Sequence, residues 1–372
     1  MFELHPTPDQ ELFRATAARF LADTCPLAEV RRVAAEPAGF EPTWWLAAAD
    51  LGWTSMLAPG VMGGSVSDNP LLDLALVAYE RGRVVSPGPF VPVNAAMAVL
   101  AMWPDRTAEC EELITGAMAG TSVVTIAVDE PGRPHSTVGF GTTVSRSAGG
   151  HVVTGAKAPV EAAMGASAFI VAATIDDEPA WVLVDAQADG LTVTPRESVD
   201  LVRRFGSIRL EDTPAVAMTR GELALQRGLD VAMVLQLAET VGAIDRVLEF
   251  TVEWAFDRHS FGRPLASYQA LKHRFADMRT WLEACQATTL SAARAVGTAT
   301  DDASLLTSAA QACVGQFAPE IVQDCVQIHG GLGITWEHDL HLYLRRVMLN
   351  SATFGTVAEH RRRLGRAVLK GR

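Results

Sequence analysis

Two short stretches of this chain carry side chains suited to holding an anionic ligand with a flat ring. The first runs from Arg258 to Met278 and reads Arg-His-Ser-Phe-Gly-Arg-Pro-Leu-Ala-Ser-Tyr-Gln-Ala-Leu-Lys-His-Arg-Phe-Ala-Asp-Met. Arg258 offers a fixed positive charge, Phe261 a ring face, and Gln269, beside Tyr268, an amide. The second is Gln327-Ile328-His329-Gly330-Gly331-Leu332-Gly333. Glycines after a helix let backbone approach a ligand and expose N–H donors, which suits a phosphate or a polar ring edge. Each stretch also has a plain reading: a helical hairpin with a surface Arg, and a glycine-rich helix cap. Neither is G-x-G-x-x-G after a strand, so there is no Rossmann fingerprint.

The elements that must position these residues are legible from periodicity. An apolar-periodic segment arrives from Val231 and is expected to stop at Phe261-Gly262, because Gly262 can take a positive φ and Pro264 cannot continue the helix. A second helix is predicted from about Ser267, with Leu271, Phe275 and Met278 on a core-facing side. Leu225 to Phe261, Ser267 to Gly297, Leu305 to His329 and Leu340 to Arg346 read as four helical stretches of a bundle. Upstream, Thr7-Pro8-Asp9-Gln10-Glu11 starts a helix, Trp44-Trp45-Leu46 another, and further helices follow the breaks at Asn69-Pro70 and Pro87-Gly88-Pro89. Between Ser122 and Asp212 lie seven short β-rich runs separated by Gly and Asp turns, the pattern of a small barrel or sandwich. The expectation is an α+β chain with a helical domain at 1–118, a β domain at 119–222 and a helical bundle at 223–372.

Composition limits the partners. The chain has 372 residues, 49% hydrophobic and 20% charged, so it is globular and too long for one ordinary core. A net charge of −12 argues against nucleic acid or an anionic membrane as the main partner. Five cysteines without a C-x-x-C pair fit a reducing compartment, and Met1 to Pro6 lacks the features of a signal peptide. No apolar run is long enough to span a bilayer. These features predict a cytoplasmic protein. No metal-ligating set is read.

The two stretches together resemble the acyl-CoA dehydrogenase family. Its R-x-x-F-G-x-P signature is matched by Arg258, Phe261, Gly262 and Pro264, its aromatic-Gln by Tyr268-Gln269, and its A-D-M by Ala276-Asp277-Met278. Its Q-x-x-G-G-x-G is matched by Gln327, Gly330, Gly331 and Gly333. The helical–β–helical order is that family's architecture, with a C-terminal four-helix bundle. The resemblance implies removal of hydrogens from the α and β carbons of an acyl-CoA thioester, with a Glu taking the α proton and FAD accepting the β hydride.

The departures fall in one place. The position that carries the Glu in many members is Phe354, within Thr353-Phe354-Gly355-Thr356, and the alternative position on the helix before Arg258 is Ala232, followed by Met233. No catalytic residue is therefore assigned. Glu239 and Asp245 lie on that helix as conceivable substitutes but read better as solvated or interhelical polar groups, and Asp230 as a capping charge. The family's T-E-P-x-x-G-S-D loop is Asp129-Glu130-Pro131-Gly132-Arg133-Pro134-His135-Ser136, and its G-x-K-x-W-I-T is Gly155-Ala156-Lys157-Ala158-Pro159-Val160-Glu161. Pro159 offers no aromatic wall, and Glu161 is expected to place an anion where charge develops on reduced flavin.

In family dimers the two retained stretches reach the adenosine and pyrophosphate of the neighbouring subunit's FAD. Arg258, Phe261, Tyr268, Gln269, Gln327, Ile328, His329, Gly330 and Gly331 are accordingly the expected cofactor contacts. The pattern is similar to the heterotetrameric (α2β2) steroid-CoA dehydrogenases, in which a homologous partner supplies the Glu and the flavin is shared. It implies a silent β subunit acting with that partner on a steroid side-chain acyl-CoA and passing electrons to an acceptor protein. A self-sufficient homotetramer with a displaced base, or a flavin-free scaffold, are the alternatives.

Overall fold

The computed structural model describes residues 6–103, 105–147 and 150–370. Six helices come first: α1 (Pro8–Thr24), α2 (Leu27–Val33), α3 (Pro42–Asp50), α4 (Pro70–Arg83), α5 (Phe90–Ala101) and α6 (Ala108–Met118). Helix α1 starts as its sequence dictates: the Thr7 hydroxyl accepts from the Gln10 amide and the Gln10 side chain accepts from the Thr7 amide, a capping box. Helix α2, which the periodicity did not reveal, fills the stretch after Pro26.

Seven strands follow, one for each β-rich run: β1 (Val124–Ala127), β2 (Thr143–Ser147), β3 (Gly150–Glu161), β4 (Ala168–Ile175), β5 (Glu178–Asp185), β6 (Leu191–Arg196) and β7 (Phe205–Arg220). The sheet runs β4-β2-β3-β7-β5 and returns to β4, closing a barrel, with β1 parallel to β4 and β6 antiparallel to β7. Its interior is filled by alternate residues, among them Val153, Phe169, Val171, Val182, Val184, Ile208 and Leu210. Helix α5 is apolar on all sides and buried along its length. Its one polar residue, Asn94, spends its amide N–H groups on the carbonyls of Trp53 and Phe90.

The C-terminal helices are α7 (Glu222–Asp257), α8 (Gln269–Gly297), α9 (Ala303–His329), α10 (Leu340–Ala352) and α11 (Val357–Lys370). Helix α11 was not anticipated; its apolar stripe is thin and it is rich in Arg. The chain divides into two compact units, one of residues 31–74 and 87–232, the other of residues 1–30, 75–86 and 233–372. In the second unit α4 and α7 touch backbone to backbone. A Cβ on Gly82 would stand 1.8 Å from the Glu239 carbonyl oxygen, and one on Gly242 would stand 1.9 Å from that of Tyr79. Polar locks flank this crossing. Tyr79 donates to Asp245, Arg83 reaches Asp245 at 3.3 Å and Glu249 at 2.8 Å, and the Tyr343 hydroxyl donates to the Arg83 carbonyl at 2.7 Å.

Candidate functional site

Helix α7 ends at Asp257, four residues earlier than its periodicity predicts. Residues 258–268 do not form a simple helix-to-helix corner. They make a two-stranded ribbon, β8 (His259–Ser260) against β9 (Arg263–Pro264), followed by a 3₁₀ turn at Leu265–Ser267. The two residues at its tip, Phe261 and Gly262, have φ of +50° and +80°. A two-residue hairpin loop with both φ values positive matches the twist of the flanking strands, which explains why the chain leaves the helix here. For Gly262 this costs little. For Phe261 the left-handed backbone costs about 1–2 kcal/mol, and its ring, 97% exposed, gains nothing from burial. An aromatic ring held out on strained backbone signals a contact with something outside the chain.

The ribbon is braced from within. The Tyr268 hydroxyl donates to the Ser260 carbonyl at 2.7 Å, and the Arg263 guanidinium lies 3.9 Å from the centre of the Tyr268 ring. The Leu265 amide closes onto the Arg258 carbonyl at 2.8 Å. Tyr268 therefore spends its polar and aromatic groups on the ribbon itself. Arg258 is exposed, and its one close contact among the described residues is the Trp254 ring at 5.9 Å. Gln269 is the exposed first residue of α8. Beside the ribbon runs an open groove of about 440 Å³ lined by Val252, Phe256, Pro264, Ala266, Ser267, Lys272 and Phe275.

The glycine stretch forms a 3₁₀ turn, Gly330–Ile334, after α9. Gly330 has φ +62°, and nothing lies within 4 Å of a Cβ built on Gly330 or Gly331, so both present open backbone. Gln327 is exposed and Ile328 half-buried. His329 turns inward. Its Nδ1 pairs with the Cys325 carbonyl at 2.9 Å and its ring stacks on Trp254, with centroids 5.3 Å apart and planes at 13°. Burial, and next the neighbouring His338, hold its pKa below the ordinary imidazole value against the pull of the Cys325 carbonyl. Trp254 thus joins the two stretches, a role the sequence reading missed although its i−4 spacing from Arg258 was visible.

The exposed groups are of the kinds that bind a phosphate and a flat ring: a cation without an ion pair among the described residues, a free aromatic face, an amide and open glycine backbone. The family's own flavin-ring segments are built differently. Pro159 is exposed on the barrel surface. Glu161 is not a bare anion, as the sequence implied. Arg203 grips it in a two-pronged pair, Nε to Oε1 at 2.7 Å, with the Arg203 and Glu161 side chains 5% and 13% exposed. The two charges cancel, so repulsion of reduced flavin is not what this position supplies. What it presents instead is a filled ionic clamp.

The loop before Thr142 is likewise closed on itself. Asp129 pairs with His135 at 2.6 Å. Glu130 accepts from the Gly141 and Thr142 amides, the Thr142 hydroxyl and buried Lys157. Burial alone would raise the Glu130 pKa, but these partners outweigh it and hold it at about 2.

The conceivable substitute bases are also committed. Glu239 is buried and bonds Arg346 at 2.8 Å, and Arg346 reaches the Ser86 carbonyl as well. Asp245 takes Tyr79 and Arg83. Both are interhelical, and Glu239 is not solvated. Asp230 is no cap: it lies inside α7, buried, accepting from Gln226 at 2.8 Å. Phe354 sits in the turn between α10 and α11 with φ +59°, half-buried, its carbonyl facing His360. On one side of the turn the Thr353 hydroxyl donates to Gln236 and the Gln236 amide to the Asn350 carbonyl; on the other the Glu359 carboxylate caps α11, accepting from the Thr356 amide at 2.7 Å and its hydroxyl at 2.9 Å. Ala232 and Met233 are buried and apolar.

Profiles of the acyl-CoA dehydrogenase N-terminal and C-terminal domains match residues 7–109 and 219–369. The acyl-CoA dehydrogenase IpdE2 of Mycobacterium tuberculosis is 30% identical over 361 residues, 96% of this chain and 97% of that one. The chain belongs to the acyl-CoA dehydrogenase family. It is an oxidoreductase fold of helical, β and helical parts, as the resemblance implied. Solved relatives include a variant of the Tcur3481–Tcur3483 steroid ACAD, with 28% identity, TM-score 0.90 and 98% of both chains covered. The ChsE4–ChsE5 complex from Mycobacterium tuberculosis shares the fold at 24% identity and TM-score 0.87, with 99% of each chain covered. A family homologue has been solved with FAD bound.

Proposed function

We propose that this chain is the non-catalytic β subunit of a heteromeric, FAD-dependent acyl-CoA dehydrogenase, working in the cytoplasm on a bulky, steroid-derived acyl-CoA. The observation that carries this reading is the split between two surfaces of one chain. Arg258 and Phe261 are exposed, Phe261 on left-handed backbone, and Gly330 and Gly331 present open backbone. In the segments that would serve a flavin ring, Glu161 is held by Arg203 and an exposed proline, Pro159, stands where an aromatic wall is expected, and the position of the base is Phe354.

In this reading Arg258 would hold a phosphate of the partner-bound FAD by charge, Phe261 would offer its ring to the adenine, and Gln269, Gln327 and the backbone from Ile328 to Gly331 would supply hydrogen bonds. The bound FAD would supply the hydride acceptor for the β carbon, and a Glu of the partner the base for the α proton. The contribution of this chain is to bind and orient the cofactor and to cover the site. Exposed Phe256 and Phe261 and the groove beside them fit a surface that another chain covers. The relatives named as a steroid ACAD and as a two-chain complex support both the substrate class and the partner. Electrons then pass to an acceptor protein.

The test is coexpression with a homologous subunit that carries the Glu. Dehydrogenase activity is expected only from the complex, and Phe354→Glu in this chain alone is expected to create none. Activity of the chain by itself would favour a self-sufficient enzyme and overturn the proposal.

A further inference from the structure

Trp254 occupies the junction between the two ligand-facing stretches. It lies one helical turn before Arg258 on α7, with the Arg258 guanidinium 5.9 Å from its ring centre. The same indole stacks at 5.3 Å and 13° on His329, the last residue of α9 and the neighbour of Gly330. His329 is itself pinned, since its Nδ1 bonds the Cys325 carbonyl, and its ring meets His338 edge-on at 4.8 Å and Phe250 at 5.8 Å. The two stretches belong to different helices far apart in sequence, and this ring set is a direct contact between them. The indole Nε1–H is buried and has no acceptor among the described residues. An unpaired buried donor is a cost that a phenyl ring would avoid. The position thus uses the flat face of the ring, not its hydrogen bond.

We propose that Trp254 is a positioning residue whose ring sets the separation of the Arg258–Phe261 ribbon and the Gln327–Gly331 turn, so that both engage one cofactor. This rests on the cofactor reading given above. A two-point grip on a stiff dinucleotide depends on spacing, and a displacement near 1 Å is enough to lose one of the two contacts. The indole–imidazole stack is rigid on both sides, because α7 is continuous through Trp254 and His329 is tied to α9. Leucine would remove the flat face and let the turn drift, whereas phenylalanine would keep a shortened stack.

The experiment uses the intact heteromeric complex, with FAD affinity measured by flavin fluorescence and His329 accessibility by diethylpyrocarbonate labelling read by peptide mass spectrometry. Trp254→Leu is expected to weaken FAD binding about threefold to tenfold, the range of an aromatic pair, and to raise labelling at His329. Trp254→Phe is expected to rescue most of both effects. Should the Leu variant not assemble, Trp254→Met serves with the same expectations. Wild-type FAD affinity or unchanged His329 labelling in the Leu variant, while Arg258→Ala releases FAD, overturns the positioning role and leaves the cofactor reading standing. If Arg258→Ala also keeps its FAD, the cofactor reading itself falls, and the positioning role with it.

Discussion

Replacing Arg258 by Ala separates a cofactor contact from a structural one, because the structure assigns the side chain almost nothing to do inside its own chain. Arg258 is exposed, and its one close side-chain contact among the described residues is the Trp254 ring, whose centre lies 5.9 Å from the guanidinium. An exposed cation–π contact at that range contributes about 0.5–1 kcal/mol at most, so the melting temperature of the isolated chain should fall by no more than about 2–4 °C. In the complex the expectation is different. A desolvated, charge-assisted bond to a phosphate is worth about 1.5–3 kcal/mol, which corresponds to a rise in the FAD dissociation constant of about 10- to 150-fold. The assay is titration of apo-complex with FAD, followed by flavin fluorescence, beside thermal melts of the chain alone. Arg258→Lys should fall between, since it keeps the charge and loses the planar fork. Unchanged FAD affinity would refute the assignment. So would a loss of affinity that tracks an equal loss of chain stability, because the Arg would then be structural.

The other predictions concern buried ion pairs within each unit. Removing either member of the Glu161–Arg203 pair should destabilise by up to about 3–5 kcal/mol, because a buried charge loses this partner, whereas the double change Glu161→Leu with Arg203→Met should be far less harmful. A urea double-mutant cycle reads the coupling, and additive losses would show that the pair is not a buried clamp. Glu239→Gln removes the carboxylate charge beside fully buried Arg346 and should lower the unfolding midpoint measurably; a change within error would contradict the lock between α7 and α10. Glu130, held at about 2 in the fold against an ordinary value of 4.5, contributes stability that is present above pH 4.5 and lost as pH falls toward 2. Glu130→Gln should therefore lower stability at neutral pH and flatten the acid limb of the melting-temperature profile.

Much of this architecture was readable from local pattern. Each of the seven β-rich runs became a strand because alternation and Gly or Asp turns are local signals, and the capping box at Thr7 and Gln10 formed as written. What failed was of two kinds. Periodicity carried α7 through to Gly262, yet the ribbon at Ser260–Arg263 depends on paired positive φ values at Phe261 and Gly262, which a hydrophobic pattern does not encode. Helix α11 escaped because Val357, His360 and Leu364 make only a thin stripe among arginines. The candidate site could be named from residue type at Arg258, Phe261, Gln269 and the glycine turn, and the structure leaves these groups exposed. Its supports were not. The Arg203 partner of Glu161 is 42 residues away, and the Trp254–His329 stack spans two helices, so both exist only once the chain is folded. Asp230 was misplaced for a related reason: α7 begins eight residues earlier, at Glu222, which turns a supposed cap into a buried acceptor.

The central claim is that this chain offers one half of a shared cofactor site and has no working flavin pocket of its own. The ratio of FAD to polypeptide measures it directly, from flavin absorbance and amino-acid analysis of the chain purified alone and of its complex with the Glu-bearing partner. The account predicts a colourless chain and a yellow complex holding about one FAD for each pair of subunits, in line with a two-surface site. A yellow homo-oligomer of this chain with about one FAD per polypeptide, under the same single-site reasoning, would contradict it.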